Sequence, residues 1–525
     1  MAETQVTRID VNSLSQPPLP GYIVLDNTNS GTYARYFENR PKFNGKYQRV
    51  YFNIGKIIDD KLGIYKNSKL GFISFSLQNG IGTVPPGFVD PSIENRLEHI
   101  TLNFGDIWMY NHFLKKIGLD SIIDSLIPEE NNFFKALVGY RLLEPMPYSY
   151  AEAWYRKSFA LILYPDANLS SQRISDFLVK IGHEDIYNSF FNYYFSLISK
   201  NNNINKKISF PILINSTGLL NDIKINLTAA KNNNSIINNE MRLIYVIDKN
   251  TKLPIYFRYV SGKIIDNNIL INTLNILSPY NINTELIIMD AGYYSGNNIS
   301  ELISTNIPFI IRMTKNSKEY KELMVKYGDN LKTTRNSIKY ESRVLFGIKV
   351  PIILYDTQLF AYILLDIDTA REEEKGIIYK YDINEDNYND IQEKLNSAGK
   401  FILLSSVEYD IHEMLPLYFT RQHIEKIFDI CKSYIDIMPL RVHNEKSLRG
   451  TLLIFFITSI IYSFISNELK KSEYNVIGSF YLMKLLQIDI YNSSKIVQEL
   501  TKDHHEIIKL LNIDCPYKIE TGNQL

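Results

Sequence analysis

Four side chains in the segment YFTRQHIEKIFDICK, residues 418–432, have the types and spacing for work on phosphate. Tyr418, Arg421, Glu425 and Lys432 recur so that a helix, turning about 100° per residue, carries all four within roughly 60° of arc. Ile424, Ile427, Phe428, Ile430 and Cys431 fall on the other side. A guanidinium forks onto phosphate oxygens, an ammonium adds a point charge, and a carboxylate binds a hard divalent cation. The same four residues also fit a solvated helix face laced with ion pairs. The segment has no Gly or Pro, so a single helix is the expectation. Arg441, Lys446 and Arg449 follow it and extend the basic face.

A second candidate is Asp290, which closes the apolar run LIIMD and is followed two residues on by Gly292. The C-terminal end of a strand is a usual place for a site in an open α/β sheet, although an Asp there can also cap a turn. Other chemistries have little support. Asn79-Gly-Ile-Gly lacks the strand–helix setting of a dinucleotide loop, and His504-His505-Glu506 is not spaced as a zinc-protease motif. Neither a nucleophile elbow nor a phosphate-binding loop of the G-x4-GK[ST] type occurs.

These residues need a scaffold. A chain of 525 residues implies about two to four domains. Residues 1 to about 30 read as a flexible lead-in, broken at SQPPLPG. From 33 to 77 short alternating runs with aromatics predict a β module, made basic by Arg35, Arg40, Lys42, Lys46, Arg49, Lys56, Lys61 and Lys66. That face is either a solvated lysine-rich surface or a DNA-contacting one. Residues 101–200 carry amphipathic helical patterns, compatible with a helix-turn-helix or a plain bundle.

After the linker NNNINKK the period switches to strands, giving three strands, a helix, the Asp290 strand, a helix and the strand PFIIRMTK. Strand-like runs and a polar stretch fill 319–400, FILLSSVEYD restarts the strands, and the segment from Lys446 onward reads as helical. Its run Gly450–Ile465 is short of a membrane span and is expected to be a buried core helix.

Charge and cysteine content narrow the classes. Lys plus Arg equal Asp plus Glu at 57 each, and the pI is about 7.1. That balance disfavours a dedicated non-specific DNA binder and leaves room for local basic faces. Cys431 and Cys515 can form no zinc site and suggest a reducing interior. A polar, Pro-rich Met1–Pro20 carries no signal pattern, so a cytoplasmic protein without a membrane anchor is expected.

The spacing of Tyr418, Arg421, Glu425 and Lys432 resembles the Y-x2-R-x3-E-x6-K signature of DDE insertion-sequence transposases of the IS-four type. Asp290 in DAGYY resembles the family's second Asp, and SSQRIS at 170–175 a further family tract. The resemblance implies an α/β fold: a ribonuclease-H-like catalytic core over 206–318 and 401–470, with a β-rich insertion at 319–400. Before it come a lead-in and basic β module at 1–100 and a helical, DNA-binding region at 101–205; a helical segment at 471–525 follows.

Asp290 and Glu425 would be metal ligands, holding two Mg²⁺ (or Mn²⁺) ions. Tyr418, Arg421, Lys432, Arg441 and Arg449 would contact DNA. The partners implied are double-stranded DNA, as terminal inverted repeats and target, and a second copy in a synaptic homodimer, nucleoid-associated when bound.

One position departs. ISFPILINSTG has the shape of the family's first motif, with Asn215 where the first catalytic Asp belongs. A neutral carbonyl replaces a carboxylate, and a unit charge pair at 4 Å is worth roughly 4 kcal/mol at an effective dielectric of 20. The expected cost is several orders of magnitude in metal occupancy or rate. Asp222 is a conceivable substitute; Asp266 in GKIID resembles another family element or is a helix-terminal charge. Two readings follow: an impaired transposase that cleaves and transfers strands, or an inactive, repurposed one that only binds DNA.

Overall fold

The computed structural model describes the chain apart from residues 1–4, 29–30, 44, 86–87, 89–98, 202–207, 223–224, 226–228, 234–235, 262–268, 278–281, 381–387, 430–439, 441, 492–493, 517 and 521–525. It forms two compact units, Met1–Lys180 with Glu468–Leu525, and Ile181–Asn467. Both combine helices and strands, so the chain is mixed α/β.

In the first unit, β1 (Gln5–Arg8), β2 (Gly21–Thr28), β3 (Gly31–Phe43), β4 (Lys46–Asp59), β5 (Ile64–Asn67), β6 (Gly71–Ser76) and β7 (Gly80–Gly82) make a seven-stranded sheet. Neighbours run β2-β3-β4-β5-β6-β7, and β1 pairs with β4 in parallel. The period of two sends Ala34 and Tyr36 of β3 and Val50, Phe52 and Ile54 of β4 into one core with Tyr65, Ile73 and Phe75. The expected flexible lead-in is therefore corrected over Gln5–Arg8 and Gly21–Thr28. Both segments are strands because they find partners in β4 and β3, and SQPPLPG is only the turn region between them.

Beyond β8 (His99–Asn103) come the helices Gly105–Ile117, Leu119–Leu126 and Asn131–Leu143, as the amphipathic patterns predict. The C-terminal segment, expected to be helical throughout, also contains strands. Gln487–Tyr491 pairs with β8 and with Ser494–Val497, an arrangement set by long-range pairing.

The second unit is built on a ten-stranded sheet. Its strands are β9 (Ile208–Leu220), β10 (Ala229–Asn233), β11 (Ile236–Asp248), β12 (Pro254–Ser261), β13 (Ile282–Met289), β14 (Phe309–Arg312), β15 (Ser337–Tyr340), β16 (Arg343–Leu354), β17 (Thr357–Asp366) and β18 (Lys400–Ser405). The order is β10-β11-β9-β13-β14-β18-β17-β16-β15, with β12 also on β11. Strands β9, β13 and β14 are mutually parallel, and Gly296–Ser304 is the helix between the last two. Strands β15 to β17 join the same sheet through β18.

Helix Glu445–Glu468 is long and apolar enough to cross a membrane, and 83% of its most apolar window is buried. Phe456 at its centre meets Tyr245, Phe257 and Phe191 at ring distances of 5.7, 5.1 and 5.4 Å. Gly182 lets the helix come close: a Cβ there would overlap the Lys446 carbonyl.

Candidate functional site

The parallel pairing of β9 with β13 aligns the first two candidates. Ile212, Leu213 and Ile214 lie opposite Ile287, Ile288 and Met289, all fully buried, and Asn215 and Asp290 directly follow the last of these pairs, Asp290 just past the end of β13. Apolar strand interiors thus deliver two polar side chains to one edge of the core. Asn215 is 7% exposed and its Oδ1 accepts from the Ser216 amide at 2.8 Å. Asp290 caps the turn Ala291–Tyr293, its Oδ1 accepting from the Ala291 amide at 2.7 Å. The capping and site readings of Asp290 are compatible, because one carboxylate oxygen serves the turn and Oδ2 faces a cation.

That cation is Arg421. The expected single helix over 418–432 is corrected: Ile411–Phe419 and Gln422–Asp429 are separate helices, with Thr420 and Arg421 at the junction. Pro416 lies in the first helix and has no amide to donate. At the junction the Thr420 hydroxyl donates to the Pro416 carbonyl at 2.7 Å, and Arg421 N to Tyr418 O at 3.0 Å, tightening the turn.

The break keeps three members of the stripe together. Arg421 Nη1 lies 3.4 Å from Asp290 Oδ2 and 2.8 Å from Glu425 Oε1, bridging the two carboxylates. Its Cζ sits 5.3 Å from the Tyr418 ring centroid.

Two members of this stripe, Tyr418 and Arg421, lie inside and not on a solvated face. Tyr418 is 2% exposed and Arg421 8%, whereas the side chains of Asp290 and Glu425 are 37% and 45% exposed. Burial opposes the Arg421 charge, but Tyr418, Asp290 and Glu425 outweigh it and raise its pKa. Burial raises the Tyr418 phenol, against Arg421 and Arg312. The phenol oxygen, buried, has no hydrogen-bond partner, and neither does Arg421 Nε, whereas Nη1 is taken up by the two carboxylates. Unsatisfied buried donors of this kind suit a ligand that brings acceptors.

A cleft of about 140 Å³ opens beside them, lined among others by Arg312, Arg343, Asp366, Phe401, Tyr418 and Arg421. Arg343 pairs with Asp366 at 3.2 Å. Arg312, closing β14, makes no ion pair among the described residues and lies 5.0 Å from the Phe401 ring centroid. Sequence reasoning missed it. Its signal was the one that exposed Asp290: a charged residue ending a wholly buried apolar strand, here PFIIR.

The remaining candidates fare differently. Lys432 and Arg441 lie outside the described residues, as do Cys431 and Asp266. Arg449 is described, and all three of its guanidinium nitrogens are engaged: Nε with Tyr259 Oη at 2.8 Å, Nη1 with Gly182 O at 3.0 Å and Nη2 with Glu445 Oε1 at 3.1 Å. Asn221 clamps Val442 by donating to its carbonyl at 3.1 Å and accepting from its amide at 3.0 Å. Asp222 lies beyond the end of β9, which runs extended from Asn215 to Leu220, or ~17 Å at about 3.3 Å per residue. It cannot replace a carboxylate at 215.

The donor set bears on metal binding. Among the described residues no group of three or more His, Cys, Asp and Glu could hold a metal ion. Asp290 and Glu425 are the two carboxylates here whose chemistry suits a hard divalent cation, and Arg421 stands between them. Position 215 offers a neutral amide and no third carboxylate.

Residues 238–461 match the family model of the transposase DDE domain. The match supports a DDE transposase; it spans Asp290, Tyr418, Arg421, Glu425 and Arg449 and begins after Asn215. A solved piggyBac transposase synaptic complex with hairpin DNA is similar at 13% identity and a TM-score of 0.38, over 72% of this chain and 76% of that one. No curated protein matches the chain.

Proposed function

We propose that this chain is a DNA transposase of the IS-four type whose strand-cleaving chemistry is crippled at Asn215. The observation that carries the reading is Arg421 held between Asp290 and Glu425, with Asn215 and Asp290 each following the last paired residue of neighbouring parallel strands. The sheet supports a ribonuclease-H-like core: β9, β11 and β12 form an antiparallel meander, and β13 and β14 follow in parallel on the other side of β9. Strands β15 to β17 fall within 319–400 and are in keeping with a β-rich insertion there.

In this reading the substrate is double-stranded DNA carrying the element's inverted repeats, bound by two copies of the chain. Arg421 and Arg312 meet a backbone phosphate, and the Tyr418 hydroxyl donates to it, which satisfies the donors left open in the cleft. Asp290 and Glu425 would hold a divalent cation, which supplies a nucleophile and stabilises the leaving oxygen in DNA strand cleavage. The chain's own contribution is to release both carboxylates when phosphate draws Arg421 away.

A second reading has the same DNA contacts without cleavage, and Asn215 specifically favours it. Strand cleavage of DNA bearing the flanking inverted repeats, with Mg²⁺, tests both, using the chain as it stands and Asn215→Asp. Cleavage by Asn215→Asp alone is the expected result. Equal cleavage by both would overturn the role given to position 215, and absence of binding by both would overturn the transposase reading.

A further inference from the structure

The exposed face of the β1–β7 sheet carries a row of rings that the site described above does not use. Tyr22 of β2 lies opposite Phe37 of β3, Phe37 opposite Tyr51 of β4, and Tyr51 opposite Arg8 of β1. Directly opposed residues point to the same face, and the neighbouring Tyr36 and Phe52 point to the core, so all four share the outer face. The rings stack: Tyr22 on Phe37 at 5.5 Å and 7°, Phe37 on Tyr51 at 5.5 Å and 27°. On β2, the last strand of the order, Tyr22 ends the row and is 40% exposed.

Arginines surround it. Arg35 lies 5.5 Å from the Tyr51 centroid and Arg49 5.9 Å from that of Tyr22. Asp26 pairs with Arg35, whereas Arg8 and Arg49 are exposed and form no ion pair among the described residues.

Cross-strand ring pairs stabilise a sheet by themselves, but that does not account for guanidinium groups gathered on the solvent side. We infer that this face binds a single strand of nucleic acid: an unpaired base extends the ring stack at Tyr22, and backbone phosphates meet Arg8, Arg35 and Arg49. The chemistry favours an unpaired strand because a duplex keeps its base faces covered, and stacking on an aromatic ring needs one free. Duplex DNA could meet the arginines but would leave the rings idle.

The test is fluorescence anisotropy with the full chain and a labelled oligothymidylate of about 15 nucleotides, a length that covers such sites. An oligouridylate and a duplex of the same length run beside it. The expected result is salt-sensitive binding of the single strands, weakened about tenfold by Tyr22→Ala and kept by Tyr22→Phe. Arg49→Gln should weaken it and reduce the salt slope by about one phosphate contact. Duplex affinity should not change in Tyr22→Ala.

Oligothymidylate and oligouridylate share this chemistry, and their relative affinities tell DNA from RNA. Three results would overturn the inference: no single-strand binding at about 50 mM salt, equal affinity for Tyr22→Ala and the unaltered chain, or equal loss on duplex and single strand. The melting temperature reports whether each variant folds. None of these readouts depends on strand cleavage, so the transposase reading can fail while this one stands.

Discussion

Asn215 and Asp290 directly follow Ile214 and Met289, the last paired residues of two parallel strands. An Asp at 215 would therefore stand near Asp290, since the strands that carry them run about 4.8 Å apart. Two carboxylates at that distance repel unless a cation lies between them.

Asn215→Asp should thus acquire a cation requirement. Without divalent ions it should melt below the unaltered chain, and Mg²⁺ should raise its melting temperature by several degrees, as binding to the folded state alone requires. Thermal unfolding with and without Mg²⁺ checks this. An equal response in both chains would mean that position 215 contributes nothing to metal binding.

Arg421→Gln removes the cation that Asp290 and Glu425 share. Because both carboxylates are over a third exposed, solvent screens their repulsion, and the loss should be about 1–2 kcal/mol. Mg²⁺ should restore part of it. Urea unfolding in the presence and absence of Mg²⁺ measures both effects, while affinity for inverted-repeat DNA should fall at least tenfold.

Tyr418→Phe separates stability from binding. The phenol oxygen is buried without a partner, so deleting it should leave stability unchanged or raise it by up to about 1 kcal/mol. The same change should weaken binding of inverted-repeat DNA. A variant that loses stability instead would show that the hydroxyl has a partner in the folded chain.

Asp106 gives a pH signature. It is 1% exposed, its Oδ2 has no partner, and burial pushes its pKa from 3.8 to about 6. The folded chain therefore holds a proton that the unfolded chain has lost between those values, so stability falls as pH rises through this window. Two pKa units are worth about 3 kcal/mol. Asp106→Asn should melt higher than the unaltered chain at pH 7 and lose this slope between about pH 4 and 6. Unfolding followed across that range checks it.

Arg449→Ala tests whether this arginine serves the fold or DNA. With hydrogen bonds to Tyr259, Gly182 and Glu445, it should cost about 2–3 kcal/mol of stability. At temperatures where the variant is folded, its DNA affinity should match that of the unaltered chain. Arg449→Lys, which cannot reproduce the planar fork, should lose nearly as much stability.

Much of the local structure was legible in the chain. Alternation marked β3 and β4, the apolar runs before Asn215 and Asp290 marked buried strands, and the 418–432 spacing gathered Tyr418, Arg421 and Glu425. Those features depend on residues within a few positions of one another, where backbone geometry fixes the period. The lead-in was misread because β1 and β2 are strands only through pairing with β4 and β3, and the helix break was misread because no Gly or Pro marks the turn at Thr420 and Arg421.

By itself, then, the sequence determined which residues end the central strands and which side chains share the Arg421 turn. Only the tertiary structure decided that the strands before Asn215 and Asp290 pair in register, that Arg421 stands between two carboxylates, that Arg312 joins the cleft and that all three Arg449 nitrogens are engaged. Strand register and side-chain partnership arise from pairing between distant segments, and no local period encodes which segment a strand will meet.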